Sequence, residues 1–150
     1  MEKLITQIIN GRILTPAGWI QGGSVVVEGN KISEIQKSAS LIDGAQVVDA
    51  KEGNIVPGGI DLHIHGGGGR DYMEGTEDAF LEAIHAHMLH GTTSIYPTLS
   101  SSSPEMIERA IRTTEKLMED PDSPVLGLHL EGPYFNPEMA GGQLPEYITP

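Results

Sequence analysis

Gly59-Ile60-Asp61-Leu62-His63-Ile64-His65-Gly66-Gly67-Gly68-Gly69 is a short apolar strand that carries two histidines and then breaks into a run of glycines. Side chains on a strand alternate between faces, so Asp61, His63 and His65 share one face and Ile60, Leu62 and Ile64 the other. Two imidazoles about 7 Å apart along one face can converge on a single cation. One histidine on such a strand is ordinarily core. Two of them beside an aspartate and ahead of a glycine run point to half of a metal site, whose other half should lie elsewhere in the chain.

Working outward from this strand, the chain changes style at Asn54-Ile55-Val56-Pro57-Gly58-Gly59, which marks a junction. Downstream, strand and helix alternate. Thr76 is placed to cap a helix, with Glu77 and Asp78 in its first turn, Phe80, Leu81, Ile84 and Met88 as its stripe and Gly91 as its stop. Thr92-Thr93-Ser94-Ile95-Tyr96 starts a second strand that should end at Pro97, since proline cannot donate to the ladder. Ser103 and Pro104 open a second helix, with Met106, Ile107, Ala110, Ile111, Leu117 and Met118 on its apolar face. Val125-Leu126-Gly127-Leu128-His129-Leu130-Glu131 reads as a third strand. Three near-continuously apolar strands separated by helices imply parallel pairing, in either a doubly wound sheet or a (β/α)₈ barrel. In both architectures sites form at the C-terminal ends of the strands, where the polar residues of this chain collect.

Upstream, residues 3–50 read as short strands and turns: Leu4–Ile9 leading into Asn10-Gly11 as a hairpin signal, Arg12–Thr15, Ser24–Glu28, a turn at Gly29-Asn30, Lys31–Ile35 with Ile32 and Ile35 near a core edge, and Gln46–Ala50. No helical period appears, so this is a small all-β unit whose expected role is packing. The expected division is residues 1–56 and 57–150.

In the third strand, Val125, Gly127, His129 and Glu131 share a face, with the leucines turned outward beneath helices. Gly132-Pro133 stops the strand, leaving Glu131 at its rim opposite His63 and His65. Nitrogen and carboxylate donors suit Zn²⁺ or Fe²⁺, and a carboxylate can bridge two ions. Such a site polarises a carbonyl and activates water, as amide hydrolysis requires. His129 lies deeper on the same face, where supporting a ligand or ligation itself are both open, and Asp61 is assigned a supporting position behind the ligands. His85, His87 and His90 fall in the last turns of the first helix, with surface or packing roles. The glycines 66–69 match no phosphate-loop spacing and read as a tight turn that clears room over a metal.

Composition narrows the function classes. Of 150 residues, 9 are basic and 21 acidic, for a formal charge of −12, which argues against nucleic acid or an anionic membrane as partner. There are no cysteines, so a metal must be held by His, Asp, Glu and water. The N-terminal residues lack the apolar core of a signal peptide and no run reaches membrane-spanning length, so a cytoplasmic protein is expected.

These segments carry a family resemblance. Pro57-Gly58-Gly59-Ile60-Asp61-Leu62-His63-Ile64-His65-Gly66 resembles the first-strand signature of the amidohydrolase superfamily, and Asn10-Gly11-Arg12-Ile13 and Gly29-Asn30-Lys31-Ile32 resemble its small β-sandwich domain. His129-Leu130-Glu131-Gly132-Pro133-Tyr134-Phe135-Asn136-Pro137, with Ala140-Gly141-Gly142-Gln143, resembles the N-acetylglucosamine-6-phosphate deacetylases within it. The resemblance implies an α/β fold, the N-terminal part of a (β/α)₈ TIM-type barrel preceded by an incomplete β-sandwich domain. It makes Glu131 a primary metal ligand, His63 and His65 ligands of an optional second ion, and Gly142 a substrate contact through its backbone. It implies one or two divalent ions and hydrolysis of N-acetylglucosamine 6-phosphate to glucosamine 6-phosphate and acetate. The aspartate that protonates the leaving amine is expected beyond Pro150, so a chain of residues 1–150 is expected to be inactive alone. The expected partners are a small phosphorylated amino sugar and further copies of the chain, with no nucleic acid and no membrane. The competing readings are a dihydroorotase-like cyclic amidase and a non-catalytic metal-binding or assembly module.

Overall fold

The computed structural model describes residues 4–149 and divides into two compact units, the boundary falling between Pro57 and Gly58. In the first unit, β1 (Ile5–Ile9), β4 (Ser24–Glu28), β5 (Lys31–Gln36) and β6 (Gln46–Asp49) form one sheet in the order β5-β4-β1-β6. A second sheet holds β2 (Arg12–Thr15), β3 (Gly18–Ile20) and β7 (Asn54–Ile55) in the order β3-β2-β7. The valines of β4 favour extended backbone because branching at Cβ restricts χ1, and Val25 and Val26 are buried.

Asn10-Gly11 does not close a hairpin. β1 pairs with β4 and β6, whereas β2 pairs with β3 and β7, so the dipeptide carries the chain from one sheet to the other. A two-residue type I′ hairpin needs positive φ at both central residues, and of these two only Asn10 has it, at 56°. Gly11 is required for a different reason: a Cβ there would lie 2.7 Å from the Ile55 side chain and 2.9 Å from that of Ala50. The turn at Gly29-Asn30 does join antiparallel β4 and β5. Ile32 and Ile35 are exposed rather than at a core edge; they lie on β5, an outermost strand of its sheet.

In the second unit three parallel strands run in the order β12-β11-β8, with β8 at Gly59–Ile64, β11 at Thr92–Leu99 and β12 at His129–Leu130. Helix α1 (Glu77–Met88) lies between β8 and β11 in sequence and α2 (Pro104–Met118) between β11 and β12. Thr76 and Ser103 cap these helices by accepting from the N–H groups of Ala79 and Met106, each at 3.3 Å, which satisfies donors the helix itself leaves unpaired. Phe80, Ala83 and Ile84 of α1 and Ala110 and Leu117 of α2 share one core with Ile95 and Leu99 of β11, Val125 and Tyr72. The rings of Tyr72 and Phe80 meet edge to face at 4.8 Å. Full burial of a side chain such as Phe80 stabilises by roughly 1.5–3 kcal/mol.

The structure departs from the expected pattern in three places. Leu81, Met88 and Met118 are exposed, so the buried face of α1 is Ala79, Phe80, Ala83 and Ile84. β11 continues past Pro97 to Leu99; the pairing with β8 shifts register between Ile95 and Pro97, which accommodates a residue without an N–H. The third strand is regular only at His129–Leu130, with Val125 joined by an isolated bridge to Ile95, and Leu126 and Leu130 are exposed while Leu128 packs on the core.

Candidate metal centre

His63 lies near the end of β8, His65 just after it, and Glu131 just after β12. Central β11 separates the two strands and holds them in register: Leu99 O accepts the Glu131 N–H at 2.9 Å and Thr98 Oγ1 accepts the Ile64 N–H at 3.0 Å. These constraints bring the three side chains together. Glu131 Oε2 is 3.0 Å from His65 Nε2 and 3.7 Å from His63 Nε2, and the two imidazole nitrogens are 3.3 Å apart.

Each of the three residues thus offers one lone-pair atom, all within 4.8 Å of one another. Two nitrogens and a carboxylate oxygen at this spacing fit a borderline divalent ion such as Zn²⁺ or Fe²⁺. The side chains are partly exposed, 50% for His63, 39% for His65 and 32% for Glu131. Solvent therefore reaches the cluster.

Asp61 and His129 flank the cluster without joining it. Asp61 Oδ1 accepts the His63 backbone N–H at 3.1 Å, so it braces the strand rather than an imidazole. The His129 ring lies 4.8 Å from the His63 ring, tilted by 48°, and its Nδ1 is buried with no hydrogen-bond partner among the described residues. Tyr72 Oη is likewise buried and unpartnered; burial, with the charge of Asp61 nearby, pushes its ionisation well above the ordinary tyrosine value.

The glycine run folds into a small hairpin of β9 (Gly66–Gly67) and β10 (Arg70–Asp71), turning through Gly68 and Gly69 at φ 61° and 84°. The run forms the tight turn expected of it, and two of its glycines, Gly67 and Gly68, also pack closely against α1. A Cβ on Gly67 would lie 2.5 Å from His87 Nε2, and one on Gly68 3.3 Å from the Ala86 side chain. His87 Nε2 contacts the Gly66 carbonyl at 2.9 Å, and Arg70 pairs with Glu82 and Glu74. Of the three helix-end histidines, His87 thus holds the loop that follows His65.

Gly142 lines a cavity of about 380 Å³ together with Ser100, Ser101, Met106 and Tyr147. Ser100 connects this cavity to the cluster, its Oγ lying 3.4 Å from His65 Nδ1. A slightly larger groove, about 430 Å³, between α2 and residues 146–149 contains none of the clustered donors. Gln143 Oε1 accepts the Ser101 N–H at 2.8 Å and so fastens the Gly142 segment to the end of β11.

Residues 54–148 match the model of the amidohydrolase family. The chain belongs to the amidohydrolase family. This amidohydrolase chain is 31% identical over 94% of its length to the N-acetylglucosamine-6-phosphate deacetylase of Haemophilus influenzae, and 32% identical over 95% to that of Lysinibacillus sphaericus. It spans 37% of the length of each of those relatives. The crystal structure of N-acetylglucosamine-6-phosphate deacetylase from Pasteurella multocida superposes with a TM-score of 0.90 at 30% identity, covering 97% of this chain and 39% of that one. No helix among the described residues is long and apolar enough to cross a membrane.

Three residues of the amidohydrolase site region carried no role in the sequence reading: Ser100, Ser101 and Gln143. A signal existed. Leu99-Ser100-Ser101-Ser102-Ser103 is a polar run at the C-terminal end of an apolar parallel strand, where sites form in both candidate architectures. It was overshadowed by Ser103, whose role as a helix cap accounts for a serine there.

Proposed function

We propose that this chain carries part of the active site of a metal-dependent deacetylase that hydrolyses the N-acetyl group of N-acetylglucosamine 6-phosphate to glucosamine 6-phosphate and acetate. The observation that carries the reading is the convergence of His63, His65 and Glu131 at the C-terminal ends of β8 and β12, linked through Ser100 to the cavity that Gly142 lines. Relatives bearing that activity by name align over more than nine-tenths of the chain. In this reading residues 1–56 are the N-terminal part of a small β-sandwich domain. Residues 57–150 are the first βα units of a TIM-type barrel, in which the C-terminal ends of the strands form the catalytic face.

Glu131 is the primary metal ligand, and His63 and His65 hold the same ion or a second one. A divalent ion there supplies Lewis acidity for polarising the acetyl carbonyl and for activating water near neutral pH. Glu131 contributes negative charge that offsets the cation, and the two imidazoles bind as neutral donors. Asp61 keeps the strand geometry from which His63 projects, and His129 supports the His63 ring by packing against it. Gly142, without a side chain, lets the sugar approach backbone N–H and carbonyl groups. The chain's acidic balance does not oppose a phosphorylated substrate, because a local site need not follow net charge. No residue of this chain is assigned the protonation of the leaving amine. The setting for this chemistry is the cytoplasm.

Titration of the Zn²⁺-loaded chain with N-acetylglucosamine 6-phosphate, followed by amide NMR, tests the reading. Gly142 should shift on addition of the phosphorylated, N-acetylated sugar, and less with unphosphorylated N-acetylglucosamine. A Gly142 amide indifferent to both sugars would overturn the substrate assignment.

A further inference from the structure

A histidine presents one ring nitrogen to a metal only when the proton sits on the other, and the partner of that other nitrogen decides the matter. His65 turns Nε2 toward Glu131 and His63, at 3.0 and 3.3 Å. Its Nδ1 faces Ser100 Oγ at 3.4 Å. Were Nε2 protonated instead, the hydrogen would occupy the centre of the cluster and donate to Glu131, removing two lone pairs at once. The hydroxyl of Ser100 has lone pairs to accept Nδ1–H.

Ser100 is itself held in place. Its neighbour Ser101 is buried, donates its backbone N–H to Gln143 Oε1 and its hydroxyl to the Glu131 carbonyl at 3.4 Å. On the other side, Leu99 O accepts the Glu131 N–H. Gly132, at φ 107°, packs so closely on Ser101 Oγ that a Cβ would collide with it. The segment Leu99–Ser101 therefore touches the metal-facing residues of both flanking strands, from the rim of the cavity Gly142 lines.

We infer that Ser100 is a positioning residue: by accepting the Nδ1–H of His65 it fixes the tautomer whose Nε2 is free to bind a divalent cation, while Ser101 anchors that hydroxyl to Glu131. The inference rests on the metal reading above and goes beyond it, since it concerns which ring nitrogen binds and what enforces the choice. Alanine at position 100 removes the acceptor with little change in volume, and threonine keeps it.

The test is a Zn²⁺ titration of the wild-type chain, Ser100→Ala and Ser100→Thr, at alkaline pH where imidazoles are neutral, with long-range ¹H–¹⁵N spectra of the loaded forms. In the wild type His65 should be protected at Nδ1–H and metal-shifted at Nε2. Ser100→Ala should weaken Zn²⁺ about 10–100-fold, as loss of an outer-shell partner does, and should abolish the protected Nδ1–H; Ser100→Thr should restore both. Equal Zn²⁺ affinity and an unchanged Nδ1–H in Ser100→Ala would overturn the inference and leave the metal reading standing. Weakened affinity that threonine fails to restore, with the Nδ1–H signal unmoved, would also overturn it, as a packing effect. A wild-type chain that binds no Zn²⁺ would overturn the metal reading, and this inference with it.

Discussion

Two polar clusters in this molecule differ in chemistry. In the first unit Gln7 and Ser24 are wholly buried. Gln7 Nε2 donates to Ser24 Oγ at 3.0 Å and to the Ser40 carbonyl at 2.8 Å, Gln7 Oε1 accepts the Ile42 N–H at 3.0 Å, and Ser24 donates to Gln36 Oε1 at 3.0 Å. Donors meet acceptors and the network closes on itself, as a buried polar group must to avoid its desolvation penalty. In the second unit one nitrogen each of His63 and His65 and one carboxylate oxygen of Glu131 converge within 4.8 Å of one another on a partly exposed face. The first arrangement is complete without anything else; the second, in the function proposed above, holds a cation. The balance of donors against acceptors separates a structural cluster from a binding one.

That comparison can be broken by substitution. The largest expected effect is Glu131→Gln, which removes the carboxylate around which the donors converge. Metal affinity should fall by more than about 100-fold, above about 2.7 kcal/mol, exceeding what loss of an outer-shell partner costs. Metal content after dialysis reads this out, and an unchanged content would remove Glu131 from the ligand set. Next is Gln7→Leu, which takes a hydrogen-bond partner from the buried Ser24 hydroxyl and strands the Ile42 N–H. Urea denaturation should show a loss of about 2 kcal/mol, since buried unpaired groups cost ~1–3 kcal/mol each, with metal affinity unmoved. A change in metal binding here would mean that the two clusters are coupled.

Ser103→Ala sharpens the comparison within the serine run. It removes the cap of α2 and should lower stability by about 1 kcal/mol without altering metal affinity, in contrast to Ser100→Ala. The smallest effect belongs to Asp49, whose carboxyl is held below its ordinary value by the Lys51 backbone N–H and by Asn10. A depressed folded pKa gives stability that is present above the unfolded carboxylate range and lost as pH falls through the folded value. Asp49→Asn should therefore flatten the acid limb of a plot of thermal midpoint against pH. An acid limb as steep as that of the wild type would show that this exposed pair contributes nothing.

The helices and their caps were readable because capping and amphipathic spacing act within a few residues. Thr76, Ser103 and Pro104 sit where local chemistry puts them. The path at Asn10-Gly11 is not legible locally because its dipeptide suits more than one backbone path, and which sheet each flanking strand joins is settled by pairings far along the chain. His87 was read as a helix-end charge, although its contact is with Gly66, 21 residues earlier. Ser100 does not stand out in the sequence because nothing in Leu99–Ser103 marks which serine faces His65.

The sequence by itself determined the alternation of strand and helix after Pro57, the faces of the strands, and the candidacy of His63, His65 and Glu131, because period and residue chemistry are properties of short segments. Only the tertiary structure decided that these three side chains meet. His65 and Glu131 are 66 residues apart in sequence, and what brings their Nε2 and Oε2 atoms to 3.0 Å is the parallel register of β8 and β12 on β11. The same register places Ser100 behind His65, and it depends on hydrogen bonds and core packing distributed over the whole second unit.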